Sequence, residues 1–372
     1  MTKICVLGAG MVGGFIAKEL SRKYDIRLAD RDEKVLKSSG LDDISRCDFR
    51  NPEQISSIIS DADIVVGAVP GFLGFEAAKT VILNGKNYVD ISFFPENPFE
   101  LHNLATQNES FVAVDCGIAP GLDNMLLGFH NSEMKIKSFA CYVGGLPKNP
   151  KEPFNYKAPF SPIDVIEEYT RPARLVRNGK QITLPSLSEP EILEFKSVGM
   201  LEAFNTDGLR TLLETMNIEN MAEKTLRYKG HRTNMQSLSE MGFFSDEKIL
   251  LNNQWISPLE MTAAILLPQW KLKPNEEEFT VMRVVIEEDE QSKDCRQFVY
   301  DIYDEYNTKQ KSSSMSRSTG YTCMAVVEGF INGQFSGSGV FAPEQLTVNK
   351  TKMDFVLNYL SDKGIQITLT TK

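Results

Sequence analysis

Long apolar runs are missing from this 372-residue chain. The longest charge-free apolar stretch, from Ile64 to Phe75, contains Pro70 and three glycines. It falls well short of the ~20 residues that span a bilayer, so no membrane segment is expected. Excess basic charge is missing too: 40 Lys+Arg against 50 Asp+Glu give a net charge of -10. That is opposite to the basic stripe that phosphate backbones require, which argues against a nucleic-acid partner. The six cysteines, Cys5, Cys47, Cys116, Cys141, Cys295 and Cys323, form no CxxC and no paired spacing. They read as reduced thiols of a cytoplasmic protein and offer no metal site. Lys3 is followed by a short apolar run that breaks at glycine without a separate cleavage region, unlike a signal peptide. Internal repeats and low-complexity tracts are absent.

What is present is the ordinary globular mixture, 42% hydrophobic and 24% charged, at a length that suits about two domains. In the first third, short apolar runs alternate with helical periodicity. Ile4–Leu7, Ile26–Ala29, Ile64–Val69, Tyr88–Ile91 and Phe111–Val114 read as strands. Val12, Phe15, Ile16 and Leu20 share one helical face, and Ile55, Ile58 and Ile59 mark another helix. Strand, helix, strand repeated in this way predicts an α/β Rossmann domain with a doubly wound parallel sheet. After Gly117 the texture shifts to longer strands and proline-rich loops, which predicts a second, α+β mixed-sheet domain. Ser138–Val143 reads as a strand followed by a loop Gly144-Gly145-Leu146-Pro147, Ser161-Pro162 as a helix start, and the acidic turn Glu287 to Glu290 as the link between two antiparallel strands. The expected division is 1–118 with 318–372 for the dinucleotide-binding domain and 119–317 for a substrate-binding and dimerisation domain.

Gly8-Ala9-Gly10-Met11-Val12-Gly13 is a GxGxxG turn directly after a strand and opening a helix. The first glycine permits the tight turn, the second lets backbone approach a pyrophosphate, and the third allows close helix–strand packing. Helix N-terminal amides then face the phosphates. Asp30 ends the second strand 22 residues after Gly8, where a carboxylate accepts the ribose hydroxyls of NAD. Arg31 beside it is placed to pair with a 2′-phosphate, so NADP stays open, although Asp30 would repel that phosphate. Further cofactor contacts are expected from Ala68, Val69 and Pro70 near the nicotinamide, from Ser92, and from Asp48 near the adenine, all at strand ends on the ligand side of such a sheet.

Beyond the nucleotide motif, the chain resembles the saccharopine dehydrogenase-like family. The likeness rests on Asp115-Cys116-Gly117-Ile118-Ala119-Pro120-Gly121-Leu122-Asp123-Asn124, Tyr142-Val143-Gly144-Gly145-Leu146-Pro147, Glu168-Tyr169-Thr170-Arg171-Pro172-Ala173, residues 202–210, residues 225–231, Arg317-Ser318-Thr319-Gly320-Tyr321 and residues 339–344. Within the family it looks most like the L-lysine 6-dehydrogenase type. Saccharopine reductases carry Asp-Pro-Gly where this chain has Ala119-Pro120-Gly121, and an arginine near Thr206 for the glutamate arm. Neither is present here. The resemblance implies an NAD(P)-dependent dehydrogenase acting on CH-NH or CH-NH2 groups, and a homodimer formed through the second domain.

Oxidation of a primary amine needs a base, because an ammonium has no lone pair to push out a hydride. The candidates are His231, whose ordinary pKa lies nearest neutrality, and Asp207, Asp115 and Asp123. Arg210, Arg227, Gly145 and Thr206 are the candidate substrate contacts. Asp207 and Arg210 are three apart, hence on one face if helical. They form either a surface ion pair or a clamp for substrate ammonium and carboxylate. The leading expectation is oxidation of the terminal amine of L-lysine or a similar amino acid, through an imine, to a semialdehyde. The alternatives are reductive condensation of an aldehyde with an amino-acid amine, as in saccharopine or carboxynorspermidine formation, and a catalytically silent nucleotide-binding regulator.

Overall fold

Six short strands open the chain: β1 (Lys3–Leu7), β2 (Asp25–Asp30), β3 (Ile44–Arg46), β4 (Ile64–Gly67), β5 (Asn87–Asp90) and β6 (Phe111–Ala113). The computed structural model describes residues 2–158, 162–273, 276–289 and 296–372. The strands pair in parallel in the order 3-2-1-4-5-6, and the late strand Gly339–Phe341 adds beside β6. β4 is buried along its whole length, and Ile4 to Leu7 of β1 are fully sealed. Such continuous apolar strands are what a sheet covered on both faces requires. Each fully buried Val, Leu or Ile contributes about 1.5–3 kcal/mol. β1 lies between β2 and β4, so the strand order reverses there, and at that switch point an open α/β sheet forms its ligand crevice.

The second sheet is mixed. Its long strand Ile136–Pro147 pairs antiparallel with Glu278–Glu288 and parallel with Asn220–Arg227. Glu278–Glu288 continues antiparallel to Gln297–Glu305, as the acidic-turn reading expects, although Glu290 and Cys295 lie outside the described residues. Helices Pro162–Thr170, His231–Glu240 and Pro258–Trp270 supply Val165, Ile166, Met235, Leu266 and Trp270 to a core shared with Phe204, Leu226, Phe279 and Val281. Ser161, the expected cap of the first of these helices, is also outside the described residues.

One expectation changes. Gly144 to Pro147 is strand, not loop: a Cβ at Gly144 would collide with the Leu226 backbone, so these glycines mark a close approach of two strands. By contacts the chain forms two compact units, Met1–Met134 with Ser316–Ile365, and Lys135–Met315 with Gln366–Lys372. The helix Leu122–Glu133 stays with the first unit because Gly128 packs against the backbone of Glu344 and Asn124 donates to the Glu344 carboxylate. The terminal strand Gln366–Thr371 leaves the first unit because it pairs with Gln297–Glu305 in the second sheet.

Candidate functional site

The glycine turn is built as its spacing demands. Gly8 has φ +107°, and a Cβ there would collide with the Ala68 carbonyl. A Cβ at Gly13 would collide with the Gly8 carbonyl and crowd Ala68. Gly10 differs: it is exposed, and nothing beyond its chain neighbours lies within 4 Å of where its Cβ would stand. Protein packing thus explains Gly8 and Gly13 but not Gly10. Helix Met11–Leu20 begins there with no side-chain cap and no acid in its first turn, leaving its amide donors to an outside anion. Met11 is exposed and Val12 half-buried beside it. These residues fit the pyrophosphate of a dinucleotide.

Asp30 ends β2 half-buried, and it is already at work. Its Oδ2 accepts the Ala9 amide at 2.8 Å and its Oδ1 accepts the Asp32 amide at 2.9 Å. Each oxygen keeps a further lone pair for a ribose hydroxyl. Arg31 is exposed, while Asp48 is gripped by Arg50 at 2.6 and 2.9 Å. The Arg50 guanidinium holds the Asp48 carboxyl down at about 2. Ala68 is half-buried and donates its amide to Leu7, Val69 is buried, and Pro70 precedes the helix Gly71–Leu83.

At the carboxyl end of β5 lies Asp90, at a strand end on the ligand side of the sheet. Asp90 is fully buried and accepts from Tyr88 Oη at 2.7 Å, from the Ser92 amide at 2.9 Å and from Ser92 Oγ. Burial pushes its carboxyl up to about 6 against the pull of those donors, with the nearby Asp115 adding to the rise. The signal was available, since Asp-x-Ser after a strand is an Asx-turn pattern. Ser92 is therefore tied into this network. Asp115 follows β6, buried, with φ +53°. Asp123 is buried, and its Oδ1 accepts the Gly121 amide at 2.9 Å, which closes the turn that opens the helix Leu122–Glu133.

In the second unit the expected base does not have the expected chemistry. His231 is 1% exposed. Its Nδ1 lies 2.8 Å from the Phe154 carbonyl, which can only accept, so Nδ1 carries the proton and Tyr169 Oη, 2.9 Å away, donates to Nε2. Arg227 Nε in turn donates to Tyr169 Oη at 3.3 Å. Burial first, and then the Arg227 charge, lower the imidazole to about 3. With both nitrogens bonded and the ring neutral, His231 is a buttress and not a base poised at neutral pH. A neutral buried histidine contributes stability that is present above pH 6.5 and lost as pH falls from 6.5 toward 3. In urea titrations the gap between wild type and His231→Gln is therefore expected to be widest at pH 7 and to narrow at pH 5 and pH 4. A constant gap would mean that the imidazole does not titrate in the folded protein.

Arg227 is equally committed. It is 2% exposed and donates to Leu226 O at 2.9 Å, to Tyr156 Oη at 3.4 Å and to the Glu168 carboxylate, with its guanidinium 4.4 Å from the Tyr156 ring. Four of its five N–H donors are thus taken within the protein. Asp207 and Arg210 sit in the loop after the strand Gly199–Asn205 rather than on a helix, and Arg210 has φ +49°. Asp207 pairs with Arg174 of the strand Ala173–Arg177 at 2.8 and 2.9 Å, so its carboxylate is held by that guanidinium. Thr206 is buried and donates to Glu223 Oε2 at 2.6 Å, with Thr225 Oγ1 2.9 Å away. Gly145 is buried in its strand opposite Thr280. Among the described residues no group of three metal-binding side chains occurs, and no helix is long and apolar enough to cross a membrane.

Fold and glycine turn together define a dinucleotide-binding α/β protein. Residues 4–113 match the family model of the saccharopine dehydrogenase NADP binding domain, and residues 117–365 match that of the saccharopine dehydrogenase C-terminal domain. The chain belongs to the saccharopine dehydrogenase family. It is 24% identical over 265 residues to the mitochondrial alpha-aminoadipic semialdehyde synthase of Mus musculus, covering 66% of this chain and 29% of that one. It is likewise 24% identical over 265 residues to the saccharopine dehydrogenase (NADP(+), L-glutamate-forming) of Schizosaccharomyces pombe, covering 66% and 59%. The chain thus spans less than a third of the first curated relatives it matches. In fold it superimposes over 100% of both chains on apo saccharopine dehydrogenase (L-Glu forming) from Saccharomyces cerevisiae, with a TM-score of 0.81 at 19% identity.

Proposed function

We propose that this chain is an NAD(P)-dependent oxidoreductase that breaks a C–H bond beside nitrogen, with the terminal amine of L-lysine or a similar amino acid as its substrate. The observation that carries the substrate reading is at Thr206. Where a saccharopine reductase is expected to present a guanidinium to the glutamate arm, this chain presents a buried hydroxyl bonded to the Glu223 carboxylate. An acid-linked hydroxyl suits an ammonium better than a second carboxylate, which is held best by bidentate arginine. Arg227 offers no bidentate replacement, because four of its five N–H donors are bonded within the protein.

When bound, the nicotinamide accepts the hydride. The chain's own part is to seat the dinucleotide on the Gly8–Gly13 turn, to hold the ribose through Asp30 and to take the ammonium proton. Asp115, buried just after β6 and near the buried Asp90 carboxyl, is the base that this reading takes. In balance, the ammonium loses a proton, the C–H electron pair leaves as hydride and C=N forms. Water then adds to carbon, and the C–N bond breaks to release ammonia and a semialdehyde.

The curated relatives named as saccharopine dehydrogenases favour a second reading, the making or breaking of a secondary amine between two amino acids. One assay separates the two. Purified protein with L-lysine and NAD, and in parallel NADP, is expected to build the absorbance of the reduced nicotinamide. No reduction with lysine, together with NADPH consumption in the presence of an aldehyde and an amino acid, would overturn the lysine reading in favour of condensation.

A further inference from the structure

Three neighbouring strand ends on the ligand side of the first sheet, those of β4, β5 and β6, are built around one carboxyl group. Gly67 ends β4 beside Asp90 in the parallel ladder. A Cβ at Gly67 would stand 1.8 Å from Tyr88 Oη and 2.4 Å from Asp90 Oδ1, so the missing side chain is the room that this pair occupies. On the other side the Cys116 amide donates to the Asp90 carbonyl at 2.8 Å, which brings the preceding residue, Asp115, next to Asp90. Asp115 is 2% exposed and holds φ +53°, a left-handed conformation that costs a non-glycine residue free energy. Asp90 is fully sealed, and its three donors, Tyr88 Oη, Ser92 Oγ and the Ser92 amide, are neutral. The titratable groups that face it are all acids: Tyr88 on β5, Asp115 and Cys116 after β6, and Cys323 on the helix Ser314–Ile331. Gly67 on β4 and Gly74 on the helix Gly71–Leu83, whose Cβ would press on Ser92, add no charge. Burying a carboxyl beside a second one without a cation is costly, and a fold stabilised for its own sake has cheaper side chains for that place.

We propose that Asp90 is a positioning residue of this site, a second acid whose charge sets how readily Asp115 takes a proton from the substrate ammonium. The proposal rests on the reading of Asp115 as the base. Two carboxylates at close quarters in a dry site resist being ionised together, so the charge on Asp90 drives the proton onto Asp115. The substrate N–H bond breaks, an O–H bond forms on Asp115, and the electron pair stays on nitrogen for the hydride step. Asp90 exchanges no proton with the substrate. Tyr88 and Ser92 keep it the ionised member of the pair, because they donate to its charged form. Burial pushes its carboxyl up to about 6, so Asp90 carries the charge above that pH and loses it below.

The test has one arm without turnover and one with it. In the resting protein, carbon-13 NMR of labelled aspartate carboxyls is expected to show a group titrating near pH 6 that is missing from Asp90→Asn. Its midpoint is expected to fall by about half a pH unit or more in Asp115→Asn, which removes the like charge, and to rise in Tyr88→Phe, which removes a donor. With L-lysine and NAD, Asp90→Asn is expected to lower kcat at least about tenfold with the KM for NAD unchanged. The acid limb of its pH profile should move to lower pH, and that of Tyr88→Phe to higher pH. Opposite shifts in two variants that both loosen the same network are not what a packing defect produces. An Asp90 midpoint that stays put in Asp115→Asn, or an acid limb that stays put in Asp90→Asn, would overturn the proposal. A wild type inert toward lysine would overturn the lysine reading alone, because the carboxyl titrations still decide whether the two acids act as a pair.

Discussion

Gly10→Val is expected to fold with the wild-type melting temperature and to bind NAD(H) or NADP(H) at least about tenfold more weakly, a loss of ~1.4 kcal/mol or more. The separation of the two effects follows from the three glycines. A Cβ at Gly10 meets nothing within 4 Å beyond its chain neighbours, and the backbone there is in ordinary territory at φ -64°. It intrudes only on the space above the uncapped helix N-terminus. Gly13→Val is the contrast: its side chain would be driven into the Gly8 carbonyl and against Ala68, and about 3 kcal/mol or more of stability should go with it. Isothermal titration with the reduced dinucleotides, alongside thermal melts, reads both quantities. A Gly10→Val protein that binds like wild type would remove the pyrophosphate from this turn. A Gly10→Val protein that melts early would make Gly10 a packing glycine after all.

The second large effect is expected at Arg227, and it is a loss of stability rather than of substrate affinity. Arg227→Ala removes the partner of Glu168 and strips donors from Tyr156, Tyr169 and the Leu226 carbonyl inside a packed cluster. Breaking a buried ion pair on one side costs roughly 3–5 kcal/mol, and the partial exposure of Glu168 places this case near the lower figure. Arg227→Lys should rescue little, because an ammonium cannot reproduce the fork that reaches four oxygens in different directions. Urea denaturation gives the stability change, and steady-state kinetics on the surviving folded fraction give the rest. A raised KM with unchanged stability in Arg227→Lys would show that the guanidinium meets a substrate carboxylate and not these neighbours.

The nucleotide half of the fold was legible because its determinants are local. Strand runs, helical spacing and GxGxxG sit within windows of a few residues, and the parallel order 3-2-1-4-5-6 follows from the crossover helices between them. The second unit was legible only in class. Gly144 looks like a loop glycine until Leu226, far along the chain, comes to lie against it. The Asp207–Arg210 spacing suggested a helical face, but Arg174 arrives on a neighbouring strand and takes the carboxylate first. His231 fails as a base for the same reason. The groups that bury and bond it, Phe154, Tyr169 and Arg227, come from separate segments, and no window around His231 contains all of them. The place of Asp90 at a strand end is legible, but its network is not: Tyr88 and Ser92 look like ordinary strand-end residues until burial turns them into its hydrogen-bond donors.

The central claim is that a hydride moves from the carbon bearing the terminal amine to the nicotinamide. L-Lysine deuterated at that terminal carbon, incubated with the protein and the oxidised dinucleotide, reports on it directly by mass spectrometry of the nucleotide. The account predicts one deuterium on the reduced nicotinamide ring and accumulation of the semialdehyde. Reduced nucleotide without deuterium, or no reduction of either dinucleotide by lysine, would contradict it.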